Sequence, residues 1–383
     1  MSLQTRKTRI VCISDTHNCQ VKLPAGDVLI HAGDLTNKGS FQELSRAVKW
    51  LESANFEAKI VVAGNHDMTL DETFYSEQGH NFHNANVQDT SRCIALLRCS
   101  PSLTYLCHES ATIRLASPTG PRTTFKVFGS PRSPAHPSGI CAFAYAAAQT
   151  ATTPCSELTS AWDDVPLDAD VVVTHTPMRT HCDETSSRRA AGCEALRRQM
   201  WRVRPRLAVC GHVHEGRGAE RISWDLSSRN VGHAEGSVTT WNDPGQGNNK
   251  LSLVDLTGRK APSLANDGSH PASSSSSSSS AAAANGVNST SGVSGSGDAQ
   301  LHSTIGLGGD PSASSRCDGE ALSGRIGRRE TCVINAAIMA VSYPHIGGKK
   351  LNKPMVVDLD LPIWDEDQLN EKKEKKKIGK KSM

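Results

Sequence analysis

Seven side chains of three chemical types fall in five short islands of this 383-residue chain: Asp15 and His17 in SDTHN, Asp34 in AGDLT, Asn65 in GNHD, His175 in VVTHTP, and His212 with His214 in GHVH. Carboxylates, imidazoles and one amide oxygen, with no thiolate, suit hard or borderline divalent ions such as Mn, Fe, Zn or Mg. Seven donors are too many for one tetrahedral site, whereas two ions roughly 3.5–4 Å apart can share a bridging carboxylate and a bridging hydroxide. Taken singly, each island has a plainer explanation. An Asp after a strand often caps a turn, Asn accepts a left-handed backbone in a tight turn, and a lone His is often a satisfied core residue. GHVH is harder to dismiss, because alternate residues on an extended segment share a face. All five in this order exceed what coincidence supplies.

The elements that must position these residues show in the hydrophobic pattern. Short runs rich in Val and Ile at Arg9 to Ser14, Asp27 to His31, Lys59 to Ala63, Val171 to Thr174 and Leu207 to Cys210 predict buried strands. Between them, Phe41 to Ser53 and Cys193 to Val203 (ahead of Pro205) carry helical spacing. Four islands begin where a predicted strand ends, and the carboxyl edge of strands is where sites assemble in α/β sheets. A hairpin is predicted over Thr112 to Phe128 with its turn at Ser117 to Pro121, and further strand patterns follow late in the chain, so the sheets should be mixed. The fold class is α/β.

From Arg259 to Arg329 the composition turns to Ser, Ala and Gly, with eight consecutive Ser at Ser273 to Ser280, and this stretch is expected to be a disordered insertion. Strand patterns resume at Thr331 to Ser342 and Pro354 to Leu359, where they have little to pack on unless they return to the same sheets.

The net charge of +3 sits in the tail: Glu371 to Met383 holds seven Lys against two Glu, which leaves residues 1–370 at −2. No specific nucleic-acid partner is therefore predicted. The N-terminal stretch reaches Asp15 before any long apolar run, and no run nears ~18 apolar residues, so neither a leader nor a membrane span is predicted. A cytoplasmic, soluble chain is expected. The twelve Cys lack CxxC spacing, and Cys12 and Cys210 lie in strand runs as small buried hydrophobes.

The islands together resemble the signature of the calcineurin-like metallophosphoesterases, D-x-H, G-D, G-N-H-[DE], H and G-H-x-H, complete from Ile10 to His214. The chain is similar in particular to the metallophosphoesterase-domain-containing proteins of animal brain, a branch akin to class III cyclic nucleotide phosphodiesterases. That similarity runs through FGSP at Phe128 to Pro131, GCEAL at Gly192 to Leu196, RVRPRL at Arg202 to Leu207, INAA at Ile334 to Ala337 and NKPMVVDL, and reaches about Leu361. Some members of the branch lack the first histidine of the last island; His212 is kept here.

The resemblance implies a layered α/β/β/α sandwich with residues 1–258 as the first part of the catalytic domain, 259–329 inserted, 330–364 completing it and 365–383 as a Lys-rich tail. It implies Asp15, His17, Asp34 and His214 around a first metal, with Asp34 bridging, and Asn65, His175 and His212 around a second. Two divalent ions are expected, Mn favoured. A hydroxide between them would attack phosphorus while His66 assists the leaving oxygen. Asp67 either orients His66 or caps a turn. The implied activity is a phosphodiesterase acting on a small phosphoester such as a cyclic nucleotide. A phosphomonoesterase or protein phosphatase is the alternative within the same core. A non-catalytic metal-binding scaffold is the alternative outside it, and intact His66 and His212 count against that. Arg132, Arg179, Arg188 and Arg189 are candidate phosphate clamps, with a solvated role the plainer expectation. His136 and His181 are expected to be exposed. The oligomeric state is not predicted.

Overall fold

The computed structural model describes residues 4–135, 141–145, 161–226, 234–270, 324–342 and 348–364. His136, the polyserine run and the Lys-rich tail lie outside the described residues.

The chain opens with β1 (Thr5–Ile13), β2 (Val28–Ala32), α1 (Phe41–Ser53) and β3 (Ala58–Val62), followed by α2 (Glu72–Gln78), α3 (His80–His83), α4 (Thr90–Arg98) and β4 (Thr104–Leu106). Next come β5 (Glu109–Arg114), β6 (Thr124–Ser130), the short pair β7 (Ser133–Pro134) and β8 (Ala144–Tyr145), β9 (Val171–Thr174), α5 (Glu194–Val203) and β10 (Leu207–Cys210). The last strands are β11 (Gly218–Trp224), β12 (Glu235–Thr240), β13 (Ser252–Asp255), β14 (Glu330–Asn335) and β15 (Met355–Pro362).

Two mixed sheets result, one in the order β13-β15-β1-β2-β3-β4 and the other β12-β11-β14-β10-β9-β6-β5. In the first, β1 to β4 run parallel and β15 lies antiparallel to β1, with Ile10 opposite Val357. In the second, β6, β9, β10 and β14 are parallel.

Period-two alternation explains the layers. Ile10, Cys12, Val28, Ile30, Val171, Val209, Ile334 and Val357 face the space between the sheets. Their neighbours Val11, Ile13, Leu29 and Val61 face outward and meet Leu44, Val48 and Leu51 of α1 and Leu97 of α4. On the other side Val172, Ala208, Val333 and Trp224 meet Leu196, Met200 and Val203 of α5. The order is helix, sheet, sheet, helix.

Local chemistry sets the helix ends. Ser40 and Glu43 form a capping box at the start of α1, whose three buried side chains are worth roughly 1.5–3 kcal/mol each. Cys193 Sγ accepts from the Leu196 N–H at the start of α5, and the helix stops at Arg204, in the left-handed region (φ 46°) ahead of Pro205. The hairpin of β5 and β6 spans a turn closed by Leu115 N–H donating to Thr123 O, with Gly120 bonded back to Ser117.

The compositional limits at Arg259 and Arg329 are corrected by the packing. Arg325 and Arg328 are fully buried: Arg325 donates to Leu167 O (2.7 Å), and Arg328 to Ala169 O (2.6 Å) and Ser269 O (2.7 Å). Asn266, also buried, donates to Glu330 O (2.7 Å) and pairs with Arg328. Residues 264–270 and 324–329 are thus bonded side by side around buried Asn266, Arg325 and Arg328; Ser, Ala and Gly frequency cannot reveal side chains that bind carbonyls remote in sequence.

Among the described residues no helix is long and apolar enough to cross a membrane.

Candidate metal centre

Three of the five islands, SDTHN, AGDLT and GHVH, leave their strands through left-handed residues, which turn the chain across the sheet edge. Asp15 (φ 51°), His17 (φ 43°), Asp34 (φ 54°) and His212 (φ 67°) all adopt this conformation, sparsely populated for residues with a Cβ. Two glycines give the room: a Cβ on Gly64 would fall on the Asp34 carboxylate, and one on Gly211 on Ser14 and Asp15.

The seven predicted donors come together. Donor atoms of Asp15, His17 and His214 lie within 4.8 Å of one another, as do those of Asp15, Asp34 and His175. His17 Nε2 and His214 Nε2 are 3.3 Å apart, and the Asn65 amide oxygen is 2.9 Å from both His175 Nε2 and His212 Nδ1. Asp34 Oδ2 sits between the two groups, 3.6 Å from His17 Nε2 and 3.4 Å from His175 Nε2. Bond lengths of about 2.0–2.2 Å to zinc or magnesium put neighbouring donors about 3–3.5 Å apart. The donor set fits divalent ions in both spacing and chemistry.

Three imidazoles are oriented by backbone carbonyls at the end of β2. His175 Nδ1 donates to Ala32 O (2.9 Å), His17 Nδ1 to Thr36 O (3.2 Å) and His66 Nδ1 to Asn37 O (2.9 Å). A carbonyl only accepts, so a proton lies on Nδ1, and Nε2 is the ring atom that His17 and His175 turn to the centre. These partners leave no trace in sequence, since any residue supplies a carbonyl.

The electrostatics are those of a place built for positive charge. Burial opposes ionisation of Asp15, yet the hydrogen bond and charge of His214 hold its carboxyl down at about 2. Burial likewise opposes ionisation of Asp34, and His175 and His66 hold it well below the carboxylate range. His175 and His214 are raised to about 9 against burial, the first by Asp34 and the second by Asp15. His212 is lowered to about 4 by burial and by His175.

His66 is half-buried beside the donors, its ring edge-on to His17 at 4.8 Å, and its backbone N–H donates to Asp34 Oδ1 at 2.8 Å. Asp67 does not touch the His66 ring. Its carboxylate accepts from Gly64 N (2.9 Å), Leu35 N (3.2 Å), Thr36 N (3.0 Å) and Thr36 Oγ1 (2.8 Å), a cap that joins the second and third islands. Burial and the nearby Asp34 raise its pKa to about 6.

Two expectations are overturned. The GHVH histidines do not share a face of an extended segment: His212 is left-handed and His214 begins a 3-10 turn, so His212 meets Asn65 while His214 meets His17 and Asp15. His181 is only 2% exposed, held by Glu220 (2.8 Å) and Glu235 (3.0 Å). Of the arginines, Arg132 donates to Ala161 O (2.8 Å), Arg188 is paired with Glu184 on the surface, and Arg179 and Arg189 are exposed.

Sequence reading missed the series Asp164, His108, Ser130, with His108 Nδ1 3.0 Å from Ser130 Oγ and Nε2 3.3 Å from Asp164. Ser130 is fully buried, so the series presents no nucleophile to solvent. A cavity of about 1000 Å³ between β11–β12 and β13 is lined by none of the seven donors.

Residues 8–216, more than half the chain, match the family model for calcineurin-like phosphoesterase. The chain belongs to this family. It is 40% identical over 223 residues to "Probable rhamnogalacturonate lyase C" of Emericella nidulans, covering 58% of this chain and 18% of that protein. To human "Metallophosphoesterase domain-containing protein 1" it is 32% identical over 226 residues, 55% of this chain and 62% of the relative. To "UPF0046 protein K07C11.7" of Caenorhabditis elegans it is 33% identical over 215 residues, 55% and 64%. The match thus spans less than two thirds of each of these relatives. Likeness to a solved purple acid phosphatase from yellow lupin covers 59% of this chain and 41% of that one, at 13% identity and a TM-score of 0.32, too low to carry an argument.

Proposed function

We infer that this calcineurin-like phosphoesterase is a phosphodiesterase with two divalent metal ions, acting on a small substrate such as a cyclic nucleotide. The observation that carries the reading is Asp34 Oδ2, placed between His17 on one side and His175 on the other as a carboxylate shared by two donor groups. Asp15, His17, Asp34 and His214 would hold the first ion, and Asn65, His175 and His212, with Asp34, would hold the second. Asn65 contributes an oxygen without adding charge, so the set keeps its ions electrophilic.

When bound, the ions supply Lewis acidity toward the phosphoryl oxygens and lower the pKa of a water to near neutrality. Manganese is favoured over Fe, Zn and Mg. His66 acts from beside the centre. With Nδ1–H fixed on Asn37 O, its Nε2 is the ring atom left to hold a proton and pass it to the leaving oxygen.

The diester is favoured over the monoester by the resemblance to the metallophosphoesterase-domain-containing proteins, a branch akin to class III cyclic nucleotide phosphodiesterases. The lyase in the fungal relative's name is not carried over, since the match covers 18% of that protein.

The test is Mn-dependent hydrolysis of an aryl phosphodiester against the matching monoester, with Asp34→Ala as the blank. Faster diester cleavage, absent from the variant, is the expected result. Preference for the monoester would overturn the diester assignment.

A further inference from the structure

The turn from Gly211 to His214 carries two of the seven donors, and His212 sits in it with a left-handed backbone (φ 67°). Such a conformation persists where the surroundings over-determine it. Two restraints act on this turn. One is the Asp15 carboxylate, which accepts the His212 N–H at 3.0 and 3.1 Å. The other comes from far along the chain.

Asn335, the last residue of β14, is fully buried beneath the turn. Its side-chain amide donates to Val213 O at 2.8 Å and to Cys182 O at 2.9 Å, and lies 3.5 Å from Gly211 O. Its Oδ1 accepts the Ala337 N–H at 3.1 Å. The carbonyls immediately before and after His212 therefore converge on one amide, which also tethers the loop that follows His175. The residues after Asn335 grip the first island in the same way: Ala336 O accepts Ser14 N–H (2.9 Å), Ile338 N–H donates to Ser14 O (2.8 Å) and Met339 N–H to Asp15 O (3.2 Å). Two islands of donors are fastened to residues 335–339, all beyond the 8–216 family match.

We propose that Asn335 is a positioning residue of the metal centre, one that fixes the backbone of His212 and thereby sets the affinity for the ion His212 serves. This rests on the two-metal reading of the site. The amide is chemically required. Converging carbonyls need a donor, the Ala337 N–H needs an acceptor, and only Asn supplies both at this length. Space is fitted as well: a Cβ on Gly216 would come within 3.2 Å of Asn335 Nδ2. Asn335→Asp keeps size and acceptor but turns carboxylate lone pairs toward the carbonyls. Asn335→Ser removes the amide without adding charge.

The experiment strips metal from the full-length protein and titrates Mn(II) into wild type, both variants and His212→Ala, reading affinity per ion by calorimetry and the coupled two-manganese signal by electron paramagnetic resonance. Melting of the metal-free proteins is recorded in parallel to identify variants that remain folded. The expected result is that one of two ions weakens about 10–100-fold, as for other groups that orient a ligand, while the other keeps its affinity. The coupled signal should give way to that of a single Mn(II), as in His212→Ala. A folded Asn335→Asp or Asn335→Ser protein that binds both ions as wild type does would overturn the proposal. Equal weakening of both ions would also overturn it, since that is general loosening. A wild type that binds no Mn(II) would instead overturn the metal-centre reading beneath it.

Discussion

At the scale of single residues, His66 lies beside the seven donors and is not counted among them. Its ring is anchored on a carbonyl and lies edge-on to His17, while its backbone N–H holds Asp34. Removing the ring leaves both carboxylates and the other imidazoles in place, so His66→Ala should keep its metal and lose about 10²–10⁴-fold in kcat, the usual worth of a general acid. Metal analysis and turnover on an unactivated diester check this, and an unimpaired rate would contradict the acid role. That these seven side chains would gather was legible because residue type and strand-end position coincide in four of the five islands. Asp67 was ambiguous, since an Asp after GNH serves equally as a cap or an orienter until Thr36 and Leu35 are seen against it. His181 was misread because the carboxylates that cover it lie 39 and 54 residues away.

At the scale of elements, the strands that lead into the five islands and the two longest helices were legible from Val- and Ile-rich runs and helical spacing, whereas β11 to β13 and the GHVH conformation were not. An extended pattern and a left-handed turn share the same letters, and what selects the turn is Asn335 and Asp15 from other strands. His181 shows another long-range tie, joining the loop after β9 to Glu220 on β11 and Glu235 on β12, with Arg197 of α5 also on Glu235 at 2.7 Å. Burial would lower the His181 pKa, but the bonds to Glu220 and Glu235 win and raise it from 6.5 to about 9. Burial would raise Glu235, but His181 and Arg197 hold it at about 2, against 4.5. The histidine's contribution to stability is then complete below pH 6.5 and lost as pH rises through about 9; that of Glu235 is complete above pH 4.5 and lost as pH falls through about 2. The difference in melting temperature between metal-free wild type and His181→Gln should be largest near pH 6 and shrink toward about pH 9.5. An equal difference at both values would contradict a charged His181.

At the scale of the whole molecule, the late strands are structural interiors. β14 lies between β10 and β11, and β15 between β13 and β1, so each sheet contains a strand from beyond the Ser-rich stretch. The layered α/β class was legible in sequence, but the bonding of 264–270 to 324–329 was not. Buried Arg325 and Arg328, which bond carbonyls near residue 168, read as solvated charges until their partners are known. The strand ends of both sheets and the loops after them deliver donors to one place, and the central claim is that this place binds a pair of ions. The most direct measurement is the number of Mn(II) ions retained per chain after gel filtration, for wild type and for Asp34→Ala, whose carboxylate is shared by both halves of the site. The account predicts roughly two ions per wild-type chain, as in other two-metal sites, and loss of metal in the variant. A wild type that retains none, or a variant that retains both, would contradict it.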